Sequence, residues 1–168
     1  MPSPDSPIHS IRPLAPEDRA AIAGIVQGVG NFNPAEIDCA LELVDICLGN
    51  PAQTDYRVHV AESARSGAVC GYTCWGPVPL TRGSYDLYWI ATHPGYQGLG
   101  IGRALMQFVE NRVLEEKGRL LIIETSSKES YDRTVGFYRR LGYVEASRIR
   151  DFYDVGDDKL VLVKRMSR

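Results

Sequence analysis

Apolar residues recur along this chain with two periods, about 3.6 for helices and 2 for strands, and the switches between them predict its elements. "IHSIRPL" reads as a first strand, and after Pro16 a helix sets Ile22, Ile25, Val26 and Val29 on one stripe. The second helix has a legible start. Asn33 can cap it, Pro34 suits its first position, and Glu36 completes something close to a capping box. Ile37, Ala40, Leu41, Val44 and Leu48 follow at helical spacing until Gly49 and Pro51 end the run. The pattern then shifts to period two: "YRVHVAE" and "AVCGYTCWG" flank the polar turn "SARSG" as a hairpin. After the loop "PVPLTRG", "SYDLYWIAT" forms a further strand.

A helix over 102–117 buries Leu105, Met106, Val109 and Val113, and Gly118 stops it. "RLLIIETS" is nearly continuous in apolar character, the pattern of a strand covered on both faces. "YDRTVGFYRRLG" reads as a helix ending at Gly142, and "YVEASRIRDFY" with "KLVLVKRM" forms a hairpin around "DVGDD". The order is β-α-α-β-β-β-α-β-α-β-β, which predicts one mixed α/β domain over 8–168. Residues 1–7, "MPSPDSP", are rich in proline and serine and are expected to fray.

Composition narrows the function classes. The chain has 168 residues, enough to bury a core without staples, and 44% hydrophobic with 24% charged residues is ordinary for a soluble domain. A formal net charge of -2 supplies no global field toward nucleic acid or anionic membrane, and no apolar run has transmembrane length. Neither nucleic acid nor membrane is an expected partner. Neither Cys39 with Cys47 nor Cys70 with Cys74 has zinc-type spacing with histidine support, so no metal is expected. Cys70 and Cys74 fall on one face of a predicted strand, where reduced cysteine packs as a small apolar side chain. Buried thiols, with no signal-peptide pattern ahead of them, carry the expectation of a cytoplasmic protein.

One stretch departs from ordinary chemistry. "YQGLGIGRALM" places Gly98, Gly100 and Gly102 directly before a helix, although glycine is costly to order. The first N–H groups of a helix lack internal partners and carry positive potential, so bare backbone there suits a phosphate. A tight strand-to-helix connection would use the same glycines, and the spacing alone leaves both readings open. The P-loop string G-x-x-x-x-G-K-[ST] does not occur. The dinucleotide fingerprint would need glycine where Arg103 or Leu105 stands.

The pattern that does fit is Q/R-x-x-G-x-G/A, running from Gln97 through Gly98, Leu99, Gly100 and Ile101 to Gly102. With "WIATHPGYQGLGIGRALM" around it, the stretch resembles the acetyl-CoA pyrophosphate loop of the GNAT superfamily of N-acetyltransferases. "YDRTVGFYRRLGYVEA" resembles that superfamily's second hallmark, and the second half is similar to the N-terminal acetyltransferases of ribosomal proteins. The resemblance implies a twisted, mostly antiparallel sheet of six to seven strands flanked by about four helices. It implies that residues from Gln97 to Arg103 hold the pyrophosphate, and that the backbone of Ile90, Ala91 and Thr92 pairs with the pantetheine arm. Tyr131 stands where the family often has a cofactor-contacting asparagine, and the segment before it is about two residues longer than in the ribosomal-protein relatives. Tyr138 stands at the position of the leaving-group acid; the alternative is that Phe137 and Tyr138 simply pack the helix.

The implied reaction needs modest machinery. An ammonium must lose a proton before it attacks a thioester, and thiolate must leave. Glu124 interrupts an apolar run, where burial would raise its proton affinity and suit it as the base. A structural hydrogen bond at a strand end would explain it equally, and Asp86 on the preceding strand is the rival base. Asp151, Tyr153, Asp157 and Asp158 lie near a substrate mouth or simply form a polar turn. The expected activity is direct acetyl transfer from acetyl-CoA to a primary amine, small or peptide-borne, with no metal. A non-catalytic CoA-binding module and a nucleotide-binding domain are the other readings. Similar proteins often pair through an edge strand or hairpin, so a homodimer is one expectation.

Overall fold

The computed structural model describes residues 7–166. The elements are β1 (Ile8–Pro13), α1 (Asp18–Gly28), α2 (Pro34–Gly49), β2 (Arg57–Ser63), β3 (Val69–Pro77), β4 (Ser84–Thr92), α3 (Ile101–Glu115), β5 (Leu120–Ser126), α4 (Asp132–Arg140), β6 (Val144–Asp154) and β7 (Asp157–Arg165). Single 3-10 turns occupy Pro94–Tyr96 and Glu129–Tyr131. This is the order expected from the periodicity. The frayed start expected over 1–7 lies outside the described residues except at Pro7, whose carbonyl accepts from the Ala64 N–H at 2.9 Å. No helix among the described residues is long and apolar enough to cross a membrane.

The seven strands share one sheet in the order β1-β2-β3-β4-β5-β7-β6. Neighbours β1–β2, β2–β3, β5–β7 and β6–β7 run antiparallel, while β4 and β5 run parallel. The parallel ladder pairs Ser84 with Leu120 through Leu87 with Ile123. Contacts divide the chain into two compact units, to both of which β4 and α3 contribute residues.

The first unit runs through Gly76 and takes in Trp89–Val109. Ile22, Ile25 and Val26 are buried, as their stripe predicted, while Val29 closes α1 half-buried. At the start of α2, the Glu36 N–H donates to Asn33 Oδ1 at 2.9 Å and the Asn33 N–H donates to Glu36 Oε2 at 2.8 Å. The expected capping box is complete, a device worth about 1 kcal/mol. Of the α2 stripe, Ala40 and Val44 are fully buried and Ile37, Leu41 and Leu48 only partly. β2 and β3 are covered on both faces, where alternation predicted one. Of their buried polar groups, Trp75 Nε1 donates to His59 Nδ1 at 3.3 Å and Thr73 Oγ1 donates to the Trp89 carbonyl at 3.2 Å, while the Tyr72 hydroxyl is buried without a hydrogen-bond partner among the described residues. Gly71 allows α3 to settle on β3, since a Cβ there would lie 3.0 Å from Ile101 Cγ2 and 3.1 Å from Leu105 Cδ1. Cys70 and Cys74 are buried and Cys47 partly so; Cys39 is exposed, contrary to the expectation of buried thiols, because it lies on the outer face of α2.

The second unit comprises Pro77–Tyr88 and the chain from Glu110 on. Here β5 departs from its apolar pattern. Leu121, Ile123 and Thr125 are buried, Leu120 and Ile122 are half-buried, and Glu124 is exposed. The second face of this strand is therefore only partly covered, and it is open at Glu124. α4 ends in a Schellman turn: Gly142 takes φ +90, its N–H donates to the Arg139 carbonyl, and the Tyr143 N–H donates to the Tyr138 carbonyl. In the β6–β7 hairpin the register shifts between Ile149 and Asp154, so residues 150–153 bulge outward.

Candidate active site

In the first unit the chain leaves β4 through a pinned turn. The Gly95 N–H donates to His93 Nδ1 at 3.0 Å, the Tyr96 N–H to the His93 carbonyl at 2.8 Å, and the Tyr96 hydroxyl lies 3.1 Å from Ser66 Oγ. Gly98 and Gly100 then adopt φ +79 and +83, a left-handed conformation that L side chains resist. A Cβ at either would meet nothing within 4 Å among the described residues, so conformation and not packing requires glycine. Ile101 is buried with Leu105, Cys70, Ala61 and Ile8, which anchors the helix start. The first helical bond runs from the Ala104 N–H to the Gly100 carbonyl, leaving the amides of Ile101, Gly102 and Arg103 ahead of the ladder. Gln97, Leu99 and Arg103 are exposed beside them. The loop fits an anion such as a pyrophosphate. Ile90, Ala91 and Thr92 precede it on β4, whose ladder with β5 stops at Leu87.

The second unit brings together charged side chains that the sequence separates. Asp86 is level with Ile122, and Glu124 with Val161. Alternation places Asp86, Glu124 and Lys159 on one sheet face. Lys159 Nζ lies 2.6 Å from Glu124 Oε2 and 4.4 Å from the centre of the Phe152 ring. Glu124 is thus ion-paired and 51% exposed, which corrects the expectation that it is buried in an apolar strand. Asp86 is the half-buried carboxyl. Burial lifts its proton affinity above the usual carboxylate range and the Glu124 charge adds to this, while Lys159 acts in the opposite direction.

Tyr138 is 4% exposed, its ring 5.3 Å from Phe137 and 5.9 Å from Tyr143, and burial pushes its hydroxyl up. Tyr143 is itself held, donating to Glu110 Oε1 at 3.0 Å, while Lys164 Nζ reaches Glu110 Oε2 at 2.8 Å. Tyr131 is partly buried at the start of α4. The tail aspartates are engaged in the hairpin. Asp157 is buried against Ser126 Oγ with Lys128 at 3.3 Å, and the Asp158 carboxylate accepts from the Asp151 N–H at 3.0 Å and from Arg148 at 3.1 Å. Of that group, Tyr153 stays about half exposed on the bulge beside Phe152. Sequence reasoning passed over Lys159 and Phe152. The period of "KLVLVKR" does put Lys159 on one face with Val161, but nothing local announces the bulge that delivers Phe152.

A family model described as an acetyltransferase (GNAT) domain matches residues 54–145. A solved protein from Desulfovibrio desulfuricans, described as an acetyltransferase of the GNAT family, is 38% identical with a TM-score of 0.89, covering 94% of this chain and 99% of that one. The Escherichia coli ribosomal-protein-S18-alanine N-acetyltransferase shares the fold at a TM-score of 0.73 and 20% identity, over 95% of this chain and 94% of its own. The S-(2-succino)cysteine N-acetyltransferase of Bacillus subtilis is 26% identical over 72 residues, 43% of this chain. That match spans 44% of the relative's length.

Proposed function

The chain belongs to the GNAT acetyltransferase family, and from this we propose that it moves an acetyl group from acetyl-CoA to a primary amine by direct attack. The observation that carries the reading is the loop from Gln97 to Arg103: left-handed, uncovered glycines beside amides that precede the α3 ladder.

Acetyl-CoA, when bound, supplies the thioester. The amides around Gly98, Gly100 and Gly102 hold its pyrophosphate, with Gln97, Leu99, Ile101 and Arg103 shaping the loop. The backbone of Ile90, Ala91 and Thr92 takes the pantetheine arm as an added strand. By the family resemblance, Tyr131 in the second unit is a further residue assigned to acetyl-CoA. Glu124 receives the acceptor's ammonium, and its proton goes to Asp86. Of the two carboxyls we take Asp86 as the base, because it is half-buried with its proton affinity raised, whereas Glu124 is ion-paired with Lys159. Tyr138 returns a proton from its hydroxyl to the departing sulfur. The free cysteines accord with a reducing, cytoplasmic setting.

An acetyl-CoA-dependent amine screen with free-thiol detection tests the reading, beside a thermal-shift titration. Stabilisation by acetyl-CoA with amine-dependent thiol release is the expected result. Stabilisation without thiol release for any amine would make the protein a CoA-binding module. A shift with NAD or ATP and none with acetyl-CoA would overturn the assignment altogether.

A further inference from the structure

Lys159 is held to a degree uncommon for a lysine. Its side chain is 15% exposed, its ammonium touches Glu124 at 2.6 Å, and the Phe152 ring covers another side at 4.4 Å. The ring is in place because residues 150–153 bulge from β6, and Asp158 fixes that bulge by accepting from the Asp151 N–H and from Arg148. An ammonium has three donors. Glu124 and the ring occupy two directions, which leaves donor capacity on a positioned, partly desolvated cation.

Building on the N-acetyltransferase reading, we infer that Lys159 binds a carboxylate of the acceptor, and that the acceptors are α-amino acids. The Lys159–Glu124 pair is a fixed dipole on one sheet face with its Glu124 end half exposed, and its complement is a second dipole laid antiparallel. An α-amino acid carries that dipole on adjacent atoms: its ammonium meets Glu124, its carboxylate meets Lys159, and Asp86 lies on the same face to take the proton. All four charges gain a partner and none loses one, so desolvation is compensated. A cationic amine without a carboxylate would bring a like charge against Lys159. A peptide N-terminus would offer it a neutral amide, leaving the cation's remaining donors without an anion. The site therefore discriminates by the group next to the amine.

The test compares glycine and the L-amino acids that carry a primary α-amine with their primary amides, using the full chain, acetyl-CoA and both thiol release and thermal shift in the presence of CoA. The expected result is at least one amino acid whose kcat/KM exceeds that of its amide by roughly tenfold or more, the scale of a hydrogen bond to a charged group. That ratio collapses toward one in Lys159→Met, mostly through KM, and is retained in Lys159→Arg. A preference for amides, or a ratio that Lys159→Met leaves intact, overturns the inference. So does the lack of any carboxylate-dependent thermal shift, whatever is acetylated. A carboxylate-dependent shift without acetylation of any amine instead overturns the transferase reading and leaves the carboxylate site standing.

Discussion

Lys159 Nζ lies 2.6 Å from Glu124 Oε2, and that contact gives the two carboxyls on one sheet face different surroundings. Glu124 is ion-paired and half exposed. Asp86 keeps no such partner at hydrogen-bonding distance among the described residues, and feels burial, the Glu124 charge and the opposing Lys159 charge together.

The acid limb of kcat/KM is predicted to lie above the usual carboxylate range and to move in opposite directions in two variants. Glu124→Gln removes the charge that raises the Asp86 proton affinity, so the limb moves down. Lys159→Met removes the charge that lowers it, so the limb moves up. Asp86→Asn abolishes the limb and slows turnover by roughly 100-fold or more. If Glu124→Gln instead abolishes the limb, Glu124 is the base.

Asp86 also predicts a stability change with a definite sign. Its folded proton affinity is raised, so between the ordinary value of about 3.9 and the raised one the folded state binds more protons than the unfolded. Stability falls as pH rises through that window and stays lower above it. Asp86→Asn removes this penalty, so its Tm exceeds that of the parent at neutral pH and the two converge below about pH 4. Melting curves across pH 3.5–8 measure it.

Gly100→Val is predicted to eliminate the acetyl-CoA thermal shift. Its left-handed backbone costs an L residue about 1–2 kcal/mol, and the added side chain fills the open side of the loop. Gly30 has the same open surroundings and φ +80, so Gly30→Val carries equivalent strain elsewhere. It should lower Tm comparably and keep the acetyl-CoA shift; equal loss in both would trace the effect to strain.

What was legible in the chain was what is local. The Asn33–Glu36 capping box, the strand and helix periods and the glycine spacing before α3 each need only a few neighbouring residues, and each formed as expected. The exposure of Glu124 is not legible locally because its surroundings come from β7: an apolar run announces burial, yet the Lys159 cation is supplied by a distant strand. Phe152 was invisible for a similar reason. Its bulge is fixed by Asp158 and Arg148 across a hairpin, and period counting continues straight through it. The double coverage of β2 and β3 likewise depends on tertiary packing that their alternation does not encode.

Glu110 ties Tyr143 to Lys164 and so supports the ring that packs against Tyr138. Glu110→Ala leaves a buried hydroxyl without its acceptor, a loss of about 1–3 kcal/mol, or roughly 2–12 °C in Tm for a chain of this size. Glu110→Gln can still accept from Tyr143 and should recover part of that loss. Turnover is expected to fall with Glu110→Ala even where the protein is fully folded, since Tyr138 loses a wall; unchanged kcat would detach Tyr143 from the site.

Tyr138 offers the sharpest test of the acid. Burial pushes its hydroxyl far above the ordinary tyrosine range, so it stays protonated at any working pH and contributes no alkaline limb. Tyr138→Phe keeps the ring contacts to Phe137 and Tyr143, so Tm and the acetyl-CoA shift should change little. The rate should fall roughly 100-fold, at the lower end of what a positioned proton donor contributes. A packing role alone predicts that the rate is preserved as well, because the phenylalanine ring fills the same space. The deficit should also shrink with an acetyl thioester whose thiol is more acidic, because such a leaving group needs less protonation as the C–S bond breaks. A deficit of equal size for both donors would place the Tyr138 hydroxyl elsewhere in the reaction.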